Sequence, residues 1–142
     1  MGDSNSRVQT RLERPVFARA RRLCLALPET VERPSWGHPN FRAGTKTFCV
    51  FEIIRDRPSI GFRLAPDDVR RVAESADGFE TPYGRRLWAS LWVDHTAVDW
   101  TLIATLIERS YRLVANKRML RALDGAKALP QRPRRTAVKS RP

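Results

Sequence analysis

Residues 40–65 read NFRAGTKTFCVFEIIRDRPSIGFRLA, and this stretch decides between a sheet protein and a bundle of helices. Aromatic and β-branched side chains dominate it, the types that fit a pleated, half-buried surface. Gly44-Thr45 divides the first part into two arms. Glycine takes positive φ at no steric cost, so the pair suits a tight two-residue hairpin. Asp56, Arg57 and Pro58 mark the next turn. After it the chain alternates: Ile60, Phe62 and Leu64 point one way, while Ser59, Gly61 and Arg63 point the other. The stretch therefore predicts antiparallel strands with one face toward a core.

Working outward toward the N-terminus, residues 29–40 (ETVERPSWGHPN) contain Pro34, Gly37 and Pro39. They read as irregular chain, with at most a short strand near Trp36. Before them, Pro15 suits the first turn of a helix. The segment VFARARRLCLALP then places Phe17, Ala20, Cys24 and Leu27 on one helical face until Pro28 stops it.

Toward the C-terminus, PDDVRRVAESADG (66–78) predicts a helix. Asp67 and Asp68 complement its N-terminal dipole, Gly78 ends it, and Val69, Val72, Ala73 and Ala76 form the buried stripe. FETPYG reads as a loop. RRLWASLWV (85–93) reads as a strand with Leu87, Ala89, Leu91 and Val93 inward and Arg86, Trp88, Ser90 and Trp92 on the opposite face. Asp99 caps one long helix over 99–123, whose core stripe is Ile103, Leu106, Ile107, Tyr111 and Val114.

The order helix, strands, helix, strand, helix predicts an α+β fold: an antiparallel sheet with helices packed mainly on one face. The chain has 142 residues, 42% of them apolar, enough for one domain without disulfide or metal support. We expect a flexible segment over 1–14, one domain over 15–124, and a basic disordered tail over 125–142. That tail carries three prolines, five bases beyond position 130 and no apolar periodicity.

A net charge of +12 suggests a polyanion partner until it is mapped along the chain. Residues 1–22 hold +4, residues 117–142 hold +8, and residues 23–116 balance to zero. The excess belongs to the two ends, where it would touch phosphates weakly and without regard to sequence. No apolar run approaches the ~20 residues of a membrane span, and the N-terminus lacks the apolar core of a secretory signal. Cys24 and Cys49 sit in apolar surroundings and read as buried thiols of a cytoplasmic protein.

Catalytic patterns do not assemble. His38 and His95 are the two imidazoles, and neither is accompanied by a nucleophile-and-base motif. Cys24, Cys49, His38 and His95 lack metal-ligand spacing. The GTK of the hairpin lacks the upstream glycine of a phosphate loop and lies between strands. The expectation is a non-enzymatic domain without a metal or cofactor. The strand face with Arg86, Trp88 and Trp92 offers three uses. It can be covered by the chain's own terminal segments, bury itself against a second copy as a homodimer or protein-interaction face, or stack and contact nucleic acid.

Several pieces taken together resemble the MmcQ/YjbR-like family: LCLALPETVERPSWGHPNFRAGTKTFCVF, the PDD helix start, TPYGRRLWASLWV and LIERSYRLVANKR. They span about residues 15–120. The resemblance implies a compact α+β domain similar to the CyaY/frataxin-like arrangement. It also implies DNA (or RNA) binding of the kind attributed to double-wing modules, a description that rests on fold analogy. Carried onto this chain, it places nucleic-acid contacts on Arg42 and Lys46 beside the hairpin turn, on Arg63, and on Arg85, Arg86 and Trp88. Where family members often carry a Lys and a His near the Trp strand, this chain has YGRRLW, which argues against acid–base chemistry there. A frataxin-type iron site would want an acidic ridge that the neutral core does not offer.

Overall fold

The structure is a computed structural model that describes residues 14–94 and 97–128. Helix α1 (Pro15–Leu25) leads into four consecutive strands: β1 (Thr30–Ser35), β2 (His38–Ala43), β3 (Lys46–Ile54) and β4 (Arg57–Arg63). Helix α2 (Pro66–Ala73), strands β5 (Gly78–Glu80) and β6 (Trp88–Trp92), and helices α3 (Trp100–Val114) and α4 (Lys117–Ala128) follow. The six strands form one sheet in the order β1-β2-β3-β4-β6-β5, and every neighbouring pair is antiparallel. This is the α+β architecture that the alternation predicts.

The core lies between one sheet face and the helices. Phe17, Ala20 and Cys24 of α1 meet Phe41, Phe48, Cys49, Phe51, Ile60 and Phe62 of the sheet. From the other side come Val69 and Val72 of α2 and Ile103, Leu106, Ile107 and Tyr111 of α3. Phe17 stacks on Phe51 at 4.8 Å, and Tyr111 meets Phe48 edge-on at 5.6 Å, both favourable aromatic geometries. Phe48 can face the helices together with its neighbour Cys49 because the β2–β3 register slips between Phe41 and Arg42. Such a bulge puts two successive side chains on one side.

Four expectations are corrected. Residues 29–40 are not irregular: β1 is a full edge strand joined to β2 by Trp36-Gly37, with φ of 55° and 85°. Two left-handed residues make the tight turn whose twist matches a hairpin. Pro34 does not break the ladder because it lies on the sheet's edge. The second turn is Arg55-Asp56 (φ 50° and 68°), so Arg57 and Pro58 already belong to β4.

Glycine at 78 opens the short edge strand β5 instead of ending a long helix, and α2 stops at Ala73, leaving Ala76 exposed. The single helix over 99–123 is two. Ala115 is extended (ψ 150°), and the Asn116 side chain accepts from the Met119 amide at 2.9 Å, capping a new helix. That helix continues through Gly125 to Ala128 and buries Met119 and Leu123. The flexibility expected for the N-terminal segment and for the end of the basic tail concerns residues outside the described ones, as does His95.

Candidate functional site

The helices leave the other sheet face open, and cross-strand register assigns its residues row by row. The middle row runs Arg33, Asn40, Val50, Gly61, Ser90, Phe79. One step toward the Trp36-Gly37 turn, Ser35 pairs with His38, Glu52 with Ser59, and Ser59 with Trp92. One step the other way, Val31 pairs with Arg42, Arg42 with Thr47, and Arg63 with Trp88.

Ser59, Gly61 and Ser90 form a floor of small residues that is nonetheless buried. The two indoles supply the cover. A Cβ on Gly61 would stand 3.2 Å from the Ser90 hydroxyl and 3.8 Å from the Trp88 ring, so that ring lies close over the glycine. Trp92 is sandwiched: Phe79 stacks on it at 4.1 Å, and the Arg57 guanidinium lies 4.2 Å from its centroid. Arg57 is itself anchored by two hydrogen bonds to Asp94, at 2.6 and 3.1 Å. The hydroxyls of Thr81 and Ser90 share a 2.6 Å hydrogen bond on the floor.

A polar cluster occupies the turn end of this face. His38 Nε2 lies 3.4 Å from Glu52 Oε2. The Ser59 hydroxyl donates to the Glu52 carbonyl at 3.1 Å, and the Asn40 amide donates to the His38 carbonyl at 3.1 Å. Burial pushes the Glu52 carboxyl above its usual range, with the nearby imidazole pulling the other way. His38 is thus the first residue of β2, with its imidazole beside the Glu52 carboxyl.

Of the six residues assigned by resemblance, the structure brings three together. Arg42, Arg63 and Trp88 share the open face. Lys46 lies opposite Ala43 at the foot of the β2–β3 hairpin, on the helix side of the strand. Arg85 and Arg86 are not on the Trp strand at all: β6 begins at Trp88, and the exposed loop before it holds Tyr83, Arg85 and Arg86 at φ of 64°, 55° and 63°. Alternation fails there because those three residues are left-handed. Arg86 instead lines a cavity of about 400 Å³ with Pro66, Val69, Arg70 and Ala73 of α2 and Glu80 of β5.

Residues that sequence reasoning missed are Arg33 and the His38–Glu52 pair. A strand reading of 30–35 would have exposed the first through its outward alternation of Val31, Arg33 and Ser35.

Arginines on the open face are of two kinds, for Arg57 holds Asp94 while three others hold no carboxylate among the described residues. Arg21, Arg109, Arg112 and Arg118, on the helices, each hold a carboxylate. Arg33, Arg42 and Arg63 form no ion pair among the described residues. Arg63 donates to the Leu64 carbonyl at 2.8 Å, and Arg42 Nε is buried with no hydrogen-bond partner there. Also among the described residues, no three His, Cys, Asp or Glu side chains gather as metal ligands, and no helix is long and apolar enough to cross a membrane.

An antiparallel sheet with helices on one face and an open, arginine-bearing second face defines a helix-backed α+β domain. The YjbR family model matches residues 25–113, from the end of α1 nearly to the end of α3, and the chain belongs to that family. Solved structures share the fold. A Deinococcus radiodurans protein with a DUF419 domain is 19% identical, with a TM-score of 0.55 over 73% of this chain and 84% of that one. A Pseudomonas syringae protein is 16% identical, with a TM-score of 0.51 over 61% of this chain and 87% of that one. No curated protein matches the sequence.

Proposed function

We propose that this domain is a cytoplasmic, non-enzymatic module that binds nucleic acid weakly and with little sequence preference, through the open sheet face. The observation that carries the reading is the trio Arg33, Arg42 and Arg63, cations that have no carboxylate partner among the described residues, on a sheet face that the described helices leave free. Guanidinium groups in that state suit phosphate oxygens, which accept two parallel hydrogen bonds. Trp88 beside Arg63 offers an aromatic face on which a base can stack. Lys46, Arg85 and Arg86, set away from this face, are at most peripheral to it. The basic termini would add sequence-independent affinity.

Binding of the full chain to a labelled oligonucleotide across a salt series tests this. Replacing Arg42 and Arg63 together with Ala should reduce the slope of log K against log [salt] by about 2, roughly one per lost phosphate contact. Neutralising the bases beyond residue 128 should lower affinity while leaving the effect of the Arg42/Arg63 change intact. Loss of all binding in the tail variant alone, with the arginine variant unaffected, would refute a role for the sheet face. A dimer in sedimentation that Trp88→Ala dissociates would instead make the same face a homodimer interface.

A further inference from the structure

Helices α2 and α3 both contribute to the core, yet a furrow remains between them. The eight residues of α2 are too few to cover the fifteen of α3. Along the uncovered flank of α3, Leu102, Leu106, Arg109 and Leu113 recur at intervals of four, three and four, which sets them in one stripe. Val72 of α2 faces Leu102 and Leu106 across a cavity of about 260 Å³. One strap bounds it: Arg109 donates to Asp68 of α2 at 2.7 Å. Beyond that pair a second cavity of about 320 Å³ reaches Leu64 and Leu113.

The charge at the mouth is unequal. Asp68 is the only carboxylate lining either cavity among the described residues. It serves two guanidiniums, Arg109 at 2.7 Å and Arg71 at 3.6 Å. One positive charge is therefore left over, and it belongs to Arg71, whose side chain is 75% exposed. Other polar groups of the furrow are occupied. The Ser75 hydroxyl donates to the Val72 carbonyl at 2.6 Å, and Arg112 holds Glu108 and Asp124.

We propose that the first cavity binds a free medium-chain alkyl carboxylate, its chain lying over Val72, Leu102 and Leu106 and its head group on Arg71. An apolar wall with one spare cation at its rim suits a ligand with one tail and one negative charge. A guanidinium can hold a carboxylate through two parallel hydrogen bonds. Length follows from volume: a methylene needs about the ~30 Å³ of a liquid water molecule, so the cavity takes a chain of about eight carbons. Charge disfavours the chain itself as occupant. Residues 129–142 carry five bases and no acid, and would bring cations to a mouth that already has one in excess. A second copy's furrow would do the same.

The test is a titration of the ¹⁵N-labelled full chain at pH 7 with sodium hexanoate, octanoate, decanoate and dodecanoate, followed by amide NMR shifts. Saturable shifts should centre on Arg71, Val72, Thr105, Leu106 and Arg109. Affinity should rise by up to about fourfold for each methylene buried and level off beyond decanoate. Octylammonium, with the same tail and the opposite charge, should bind far more weakly than octanoate. Arg71→Gln leaves the Asp68–Arg109 strap in place; it should weaken octanoate about tenfold, as loss of a charge-assisted contact does, while octanol binding stays unchanged. Thr105 is exposed and borders the cavity, so Thr105→Trp should fill it from outside and abolish binding of both.

Equal binding of octylammonium, octanoate affinity untouched by Thr105→Trp, or shifts confined to the open sheet face or the terminal segments would each overturn the proposal. A dimer in sedimentation that Thr105→Trp dissociates would also overturn it, giving the furrow to a second copy.

Discussion

The Tyr111 hydroxyl, carried by α3, donates a 2.8 Å hydrogen bond to the Pro28 carbonyl, just beyond the end of α1. The tyrosine is fully buried, so this bond joins two helices that are far apart in sequence and satisfies a carbonyl at the exit of α1. Tyr111→Phe preserves the ring against Phe48 and removes only the donor. It should cost about 1–2 kcal/mol, the usual price of leaving a buried acceptor unpaired. Urea titration should show a lower midpoint at an unchanged m-value.

Anchorage of α1 can be tested through its largest side chain. Phe17 is fully buried and stacked on Phe51. Phe17→Ala should destabilise by about 3–5 kcal/mol, combining lost transfer energy with the cavity left behind. Arg19→Ala removes only the guanidinium that sits 4.4 Å over the Trp100 ring, and should cost well under half as much. Equal losses in the two variants, measured by chemical denaturation, would contradict this packing.

Two glycines should respond with opposite signs. A Cβ on Gly78 would collide with the Val72 carbonyl, backbone that cannot swing aside, so Gly78→Ala should destabilise by more than the ~1 kcal/mol of an average substitution. At Gly125, within α4, a Cβ meets open space. Gly125→Ala should stabilise by up to about 1 kcal/mol through helix propensity. Thermal unfolding of the two variants beside the parent decides both.

The open face predicts a pH effect at Glu52. Burial raises its carboxyl above the unfolded value, so the folded chain holds that proton more tightly. Its contribution favours folding at low pH and is lost as pH rises from about 4.3, the ordinary glutamate value, through the raised one. Glu52→Gln should remove this slope, so the stability of the variant relative to the parent should increase with pH across that window. Glu29 and Glu108 work in the opposite sense. The Arg118 hydrogen bond outweighs desolvation at Glu29, while at Glu108 burial is outweighed by Lys127 and Arg112 together. Both are held low, and their contributions fade as pH falls. Denaturant titrations of parent and Glu52→Gln at matched pH separate the two trends.

Local pattern made much of this protein readable. The Gly44-Thr45 hairpin, the alternation from Ser59 to Leu64, the inward face of Phe17, Ala20 and Cys24, and the Asp99 cap all depend on residues near one another in sequence. Backbone sterics and side-chain period fix such features wherever the segment lies. The predicted stripe of Ile103, Leu106, Ile107 and Tyr111 is the buried face of α3 for the same reason.

What sequence could not settle was decided by contacts across the sheet. Pro34 reads as a strand breaker, yet β1 forms because the edge position asks for no amide on its outer side. Arg85 and Arg86 look like an extension of the Trp strand, yet left-handed backbone turns them out of it. Arg33, Arg42, Arg63 and Trp88 come from four strands. Only register places them together, because no local rule specifies which distant residue stands opposite. The folds of the chain were local; the candidate site is a product of long-range pairing.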